Sequence, residues 1–234
     1  MATKPNRIVV AFNGAVETHV STEITNPPRA FAFEVVFYRH LWPATLRTEK
    51  PPMHFHPFQK EYIEVLTGRI CVEQRGHGGV SILTPADGEV CIQPWVHHRL
   101  YPVAADLAQA AADEGGEPIR FRLWGQETDK VSRLDTIFFE NWYGYQDEIL
   151  AGKSIDLVQV LTMFDAGGSY LSLPCWVPFG RTVSMAMGIL VGRCIGGLLG
   201  YQPYYPKWTS DWRLACEKMR QSWFQRRFAR NKED

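Results

Sequence analysis

The stretch Met53-His54-Phe55-His56-Pro57-Phe58-Gln59-Lys60-Glu61, closed by Gly68, gathers residue types that hold metal ions. In an extended strand alternate side chains share a face, so the imidazoles of His54 and His56 point the same way. Glu61 then brings a carboxylate within reach of the same point. Imidazole suits Zn, Cu, Fe and Ni, and an added carboxylate widens the choice to harder ions such as Mn. Further imidazoles are offered by the later run Pro94-Trp95-Val96-His97-His98-Arg99, inside the stretch Gly88 to Tyr101. The chemistry implied is one divalent metal ion: Fe, Mn, Ni, Zn or Cu.

Such residues need a rigid frame, and up to about Thr128 the chain reads as short β segments separated by turns. The candidates are Arg7–Phe12, Phe31–Leu41, Glu61–Leu66, Ile70–Gln74, Val80–Leu83, Val90–Gln93, His98–Val103 and Ile119–Trp124, many of them rich in Val, Ile, Phe and Tyr. Their spacing predicts a sandwich or barrel rather than strands alternating with helices. Ala104–Gly116, Ala-rich and acidic, reads as an exposed loop or short helix.

Beyond that point the pattern turns helical. Leu134–Leu150 and Ile155–Phe164 carry helix-like apolar spacing, with Ser154 as an N-cap candidate. Leu173-Pro174-Cys175-Trp176-Val177-Pro178 reads as an extended connector, and Ser210–Arg230 as a basic, Trp-containing helix. The boundary therefore falls near residue 130, with a β domain over 1–130 and a helical extension over 131–234.

Between them, Thr182–Gly200 is apolar apart from Arg193. Ser184, Gly188, Gly192, Gly196 and Gly200 recur every fourth residue and would form one small-residue stripe. Such stripes let backbones approach closely in membrane helix pairs. The length barely crosses a hydrocarbon layer of about 30 Å, and aromatic then basic residues follow it. Arg193 opposes insertion, at roughly 2.5–3.5 kcal/mol on insertion scales. Two readings stay open: residues 182–208 touch a membrane, or the glycine face packs on the barrel or on a second subunit.

The metal run carries a resemblance. It is similar to the first motif of the cupin superfamily, G(X)5HXH(X)3–4E(X)6G, at His54, His56, Glu61 and Gly68, with Thr48 where the leading glycine is usual. The second motif, G(X)5PXG(X)2H, is matched at Gly88 and Pro94, with Val96 in the glycine's place. Strict counting puts Arg99 at the final histidine; a one-residue deletion in the turn puts His98 there, and His97 is the other contender. The resemblance covers about residues 30–127. It implies a jelly-roll β-barrel with His54, His56, Glu61 and His98 as metal ligands.

Around that site, Phe55, Phe58, Trp95, Phe121 and Trp124 are candidates for an apolar pocket. Tyr62, Glu64, Gln74 and Gln93 are candidates for orienting the ligands by hydrogen bonds. His97, beside the ligand His98, is a candidate catalytic proton carrier. His19, His40 and His77 read as structural, Glu64 and Glu89 as solvated strand residues, and Cys71 and Cys91 as core thiols.

Composition narrows the function. The 234 residues are 45% hydrophobic, enough for a sizeable core. Charge balances to zero, which argues against nucleic acid as a partner. Five cysteines without CxxC spacing fit a reducing compartment better than a disulfide scaffold. The N-terminus lacks the apolar run of a secretory leader, so cytoplasmic synthesis is expected. The reading is a mononuclear metal enzyme acting on a small, largely apolar organic molecule. It would work by oxygenation, or by Lewis-acid isomerisation, dehydration or cyclisation. The barrel-plus-helices layout resembles cupin proteins of microbial and fungal secondary metabolism, which implies a tailoring step on a polyketide-like substrate. The alternative is a non-catalytic cupin module binding a small ligand or anchored at a membrane. Homodimerisation is expected, since closed two-fold dimers are the commonest assembly.

Overall fold

The computed structural model describes residues 7–21, 28–76, 79–110 and 116–230. Eleven strands appear there: β1 Arg7–Ala11, β2 Val16–Val20, β3 Arg29–Phe37, β4 His54–Phe55, β5 Glu61–Thr67, β6 Ile70–Gln74, β7 Gly79–Leu83, β8 Glu89–Ile92, β9 His98–Pro102, β10 Ile119–Gln126 and β11 Tyr170–Leu171. One sheet has the order β1-β2-β3-β10-β5-β8 and the other β11-β4-β9-β6-β7. Taken from β3 to β10, the orders β3-β10-β5-β8 and β4-β9-β6-β7 are those of an eight-stranded jelly roll. The fold is thus mainly β with a C-terminal helical region, as the sequence predicts.

By packing, the chain divides into two compact units, 1–53 with 59–127 and 54–58 with 128–234. In the first, inward residues follow a period of two. Phe33 and Val35 of β3, Ile63 and Val65 of β5, and Phe121 and Leu123 of β10 are buried, and Phe37 meets Phe121 edge-on at 5.1 Å. The opposite face of the same strands carries charge: Arg120 pairs with Glu34 and Arg122 with Glu64. This alternation fixes register, because a one-residue slip would bury every one of those charges. The loop predicted at Ala104–Gly116 contains the helix α1, Ala104–Ala110; 111–115 lie outside the described residues, as does His77.

The second unit holds helices α2 Thr136–Leu150, α3 Leu157–Ala166, α4 Gly180–Leu199 and α5 Trp212–Arg220. Each N-terminus with a side-chain cap uses aspartate: Asp135 accepts from the amide of Phe138, Asp156 from Val158 and Gln159, Asp211 from Leu214. Ser154 is therefore not the cap of α3. Asp156, two residues later, satisfies two of the orphan amides at once.

Helix α4 contains π turns over Met187–Gly196. It is long and apolar enough to cross a membrane by length and composition. Its glycine stripe is occupied within the unit. A Cβ on Gly192 would lie 2.6 Å from the backbone carbonyl of Leu161, and one on Gly196 2.7 Å from Thr162 Oγ1. Ser184 Oγ donates to the Leu171 carbonyl at 2.5 Å. Arg193 turns to Asp165 of α3, 2.6 Å from Nε to Oδ2, so its charge is paired rather than exposed to an apolar phase. The face away from the stripe leaves Leu190, Leu198 and Leu199 exposed.

Candidate metal centre

Strand β4 is only two residues long, and it delivers His54, with His56 just past its end. Phe55 between them faces the other way, fully buried against Tyr170 with ring centroids 5.9 Å apart. The rings of His54 and His56 lie 5.0 Å apart, and Phe164 meets His54 edge-on at 6.0 Å. Glu61 opens β5 on the same inward face as Ile63 and Val65, and His98 opens β9; both are buried. One ligand atom from each of His54, His56, Glu61 and His98 lies within 4.8 Å of the others. His97, half-buried and one residue before β9, is not part of this cluster, and its carbonyl accepts from the Arg75 amide at 2.9 Å. Arg99 points elsewhere and pairs with Glu73 at 2.7 Å.

The donor set fits a divalent cation. Metal–ligand bonds of about 2.1 Å put ligand atoms on opposite sides of an ion about 4.2 Å apart, and the cluster is within a small adjustment of that. His98 makes the strongest case. Its Nδ1 lies 2.9 Å from the Val96 carbonyl oxygen, which only an N–H can satisfy, so a neutral ring presents its Nε2 lone pair inward. That lone pair is 3.1 Å from Glu61 Oε2. With Nε2 unprotonated the two acceptors repel, and either a proton on Nε2 or a metal ion beside them removes the conflict. Three imidazoles and one carboxylate are ligands for Fe, Mn, Ni, Zn or Cu alike.

The turn before His98 explains the missing motif glycine. The Val96 amide donates to the Gln93 carbonyl at 3.2 Å, and Trp95 has φ of 70°. This is a type II turn, with Pro94 at its second position and Trp95 at the third, where positive φ is required. The left-handed residue is thus 95, one place earlier than the motif's glycine. A shortened turn brings His98 to the ligand position and aims the Val96 carbonyl at its ring.

Several side chains expected near the site are elsewhere. Trp124 lies on the outward face of β10, stacked on Tyr62 at 5.7 Å with the Arg29 guanidinium over its ring. Alternation along the strand puts it opposite Phe121. Phe58 and Trp95 are exposed, at 48% and 36%. Glu64 binds Arg122, and the Gln93 amide lies on Cys91 Sγ. The orienting acceptor for His98 is instead a backbone carbonyl, which carries no signature in residue type.

The jelly roll thus brings together three imidazoles and a carboxylate that could hold a metal ion. No family model matches the chain. It is 43% identical over 226 residues to "Probable oxidoreductase yanE" of Aspergillus niger, covering 93% of this chain and 82% of that protein. It is 37% identical over 182 residues to "Epoxidase atD" of Aspergillus terreus, covering 77% of this chain and 53% of that one. The chain belongs to the family of fungal oxidoreductases that yanE represents. Among solved structures, a cupin-superfamily sugar phosphate isomerase from Silicibacter pomeroyi aligns over 54% of this chain and 68% of that one at 15% identity, with a TM-score of 0.32, a likeness too slight to carry an argument.

Proposed function

We propose that this protein is a cupin-type, mononuclear metal-dependent oxidoreductase that oxidises a small, largely apolar, polyketide-like molecule as a tailoring step of secondary metabolism. The observation that carries this reading is the buried cluster of His54, His56, Glu61 and His98 in a chain whose relatives are named oxidoreductases and an epoxidase.

In this reading His54, His56, His98 and Glu61 hold the ion, and the Val96 carbonyl keeps the His98 ring in its ligating tautomer. A redox-active divalent ion such as iron supplies the electron chemistry that no side chain in the cluster provides. His97, next in the chain to His98 and half-buried, carries a proton to or from the substrate. Burial of Glu61, His56 and His98 keeps the site poor in water, which strengthens every charge interaction there. Relatives named for oxidation favour an oxygen-dependent reaction over Lewis-acid isomerisation.

The test is substrate turnover followed in air and under argon, with metal content measured on protein from its natural host. Oxygenation expects turnover and O2 uptake to disappear together without air. Undiminished turnover under argon overturns it in favour of the Lewis-acid route. His54→Ala should abolish both metal binding and turnover, and a fully active His54→Ala variant would leave a non-catalytic binding module.

A further inference from the structure

We propose that the helical unit contains a second ligand site, separate from the metal centre, that takes a small carboxylate with an apolar body. A cavity of about 210 Å³ opens among α3, α4, α5 and the turn after α5, and none of the four metal-cluster residues lines it.

Its wall carries Arg193, Lys218 and Asp165, and Asp135 pairs with Lys218. Arg193 spends Nε and Nη2 on Asp165, at 2.6 and 2.9 Å, and Nη2 also reaches Ser132 Oγ at 3.2 Å. A guanidinium has five N–H donors, so donors remain. Lys218 Nζ sits 2.7 Å from Asp135 Oδ2, 3.4 Å from the Arg133 carbonyl and over the Tyr204 ring at 5.3 Å. Burial lowers the pKa of this lysine, with Asp135 opposing the shift.

The second observation concerns two uncharged side chains in the same wall. Gln225 is 5% exposed, and its Nε2, like Ser222 Oγ, is buried without a hydrogen-bond partner. Unmade hydrogen bonds of buried donors are costly, so the wall has donors in surplus, while Asp165 and Asp135 balance the charges of Arg193 and Lys218. A carboxylate, which only accepts and offers about four lone-pair directions, complements those donors. Charge-assisted bonds of this kind are stronger than neutral ones. Val131, Ala166, Tyr204 and Met219 are the apolar part of the lining, with Val131 the most exposed of them, at 37%.

Benzoate is the probe, titrated calorimetrically into the full-length protein, both as purified and after the metal has been stripped with a chelator. One site should be seen in both forms. Benzamide, the same shape without the charge, should bind at least tenfold more weakly. Gln225→Leu should lower benzoate affinity at least tenfold with metal content unchanged, and Ser222→Ala severalfold. The proposal is overturned if millimolar benzoate gives no binding, if binding vanishes with the metal, which places the carboxylate on the ion, or if benzamide binds as well as benzoate. Affinity unaltered in Gln225→Leu also overturns it; should that variant not fold, unaltered affinity in Ser222→Ala does so instead.

Discussion

His98 stands between two oxygens, with Nδ1 2.9 Å from the Val96 carbonyl and Nε2 3.1 Å from Glu61 Oε2. The first distance calls for a proton on Nδ1, and the second sets Nε2 beside a carboxylate. Glu61→Gln keeps the shape of that arrangement and removes its charge. Metal affinity should fall at least about tenfold, since losing even an outer hydrogen-bond partner costs roughly 10–100-fold. His98→Gln should do the same. Arg99→Gln should leave metal content unchanged, because Arg99 is committed to Glu73. Elemental analysis of the three variants decides it, and equal loss in Arg99→Gln would remove His98 from the ligand set.

Glu73 lies beside the site but on the opposite face of the same strands, and it should set part of the acid stability. It lies opposite Arg99 in the β6–β9 register and also accepts from Lys50 at 3.0 Å and from the Tyr101 hydroxyl at 2.8 Å. Arg99 above all, then Lys50 and Tyr101, hold its carboxyl down at about 2, from 4.5. The pKa is lowered by folding, so the stability it brings is present above pH 4.5 and is lost as pH falls toward 2. Metal-free protein should therefore lose stability steeply across that window. Glu73→Gln should be less stable at neutral pH and show a shallower slope there. Equal slopes for the two proteins in urea titrations would exclude Glu73 as the source.

Much of the frame was legible because burial on one face writes itself into alternation: Ile70–Gln74 is found at the predicted bounds, and β3, β5 and β10 begin or end within a few residues of them. Strand β2, Val16–Val20, escaped notice because Glu17 and His19 interrupt its apolar run, although Thr18 between them is buried. Strand β11 has two residues and no period at all. In the site, His54, His56 and Glu61 could be found from spacing and the cupin resemblance together. The choice among His97, His98 and Arg99 could not be made from spacing, since it depends on Trp95 adopting a left-handed conformation that its residue type disfavours. Trp124 was misplaced for a simpler reason: hydrophobicity says that a ring wants cover, not which face covers it.

The glycine stripe of α4 separates two faces that composition alone cannot tell apart. Gly192→Ala puts a methyl 2.6 Å from the Leu161 backbone, which cannot rotate aside. The expected loss is about 1–3 kcal/mol, the usual range for overpacking. Leu198→Ser, on a residue 58% exposed, should change stability by no more than about 0.5 kcal/mol. Urea midpoints at constant slope give both numbers. Similar losses in the two variants would mean that the outer face is covered too.

Asp165 and Arg193 form the buried ion pair that lets an apolar helix carry a cation. Burial raises the Asp165 carboxyl against the pull of Arg193, so the carboxylate form depends on its partner being there. Asp165→Asn leaves the guanidinium half-buried and uncompensated, and breaking such a pair typically costs about 3–5 kcal/mol. The loss should extend to Tyr170, whose hydroxyl lies 3.3 Å from Asp165 Oδ1 and whose strand pairs with β4 at Phe55. Replacing both partners, Asp165→Asn with Arg193→Met, should recover much of the stability, since no lone charge then remains buried. A double-mutant cycle measures the coupling directly. Strictly additive losses would show that each side chain is held by other neighbours and that the pair itself contributes nothing.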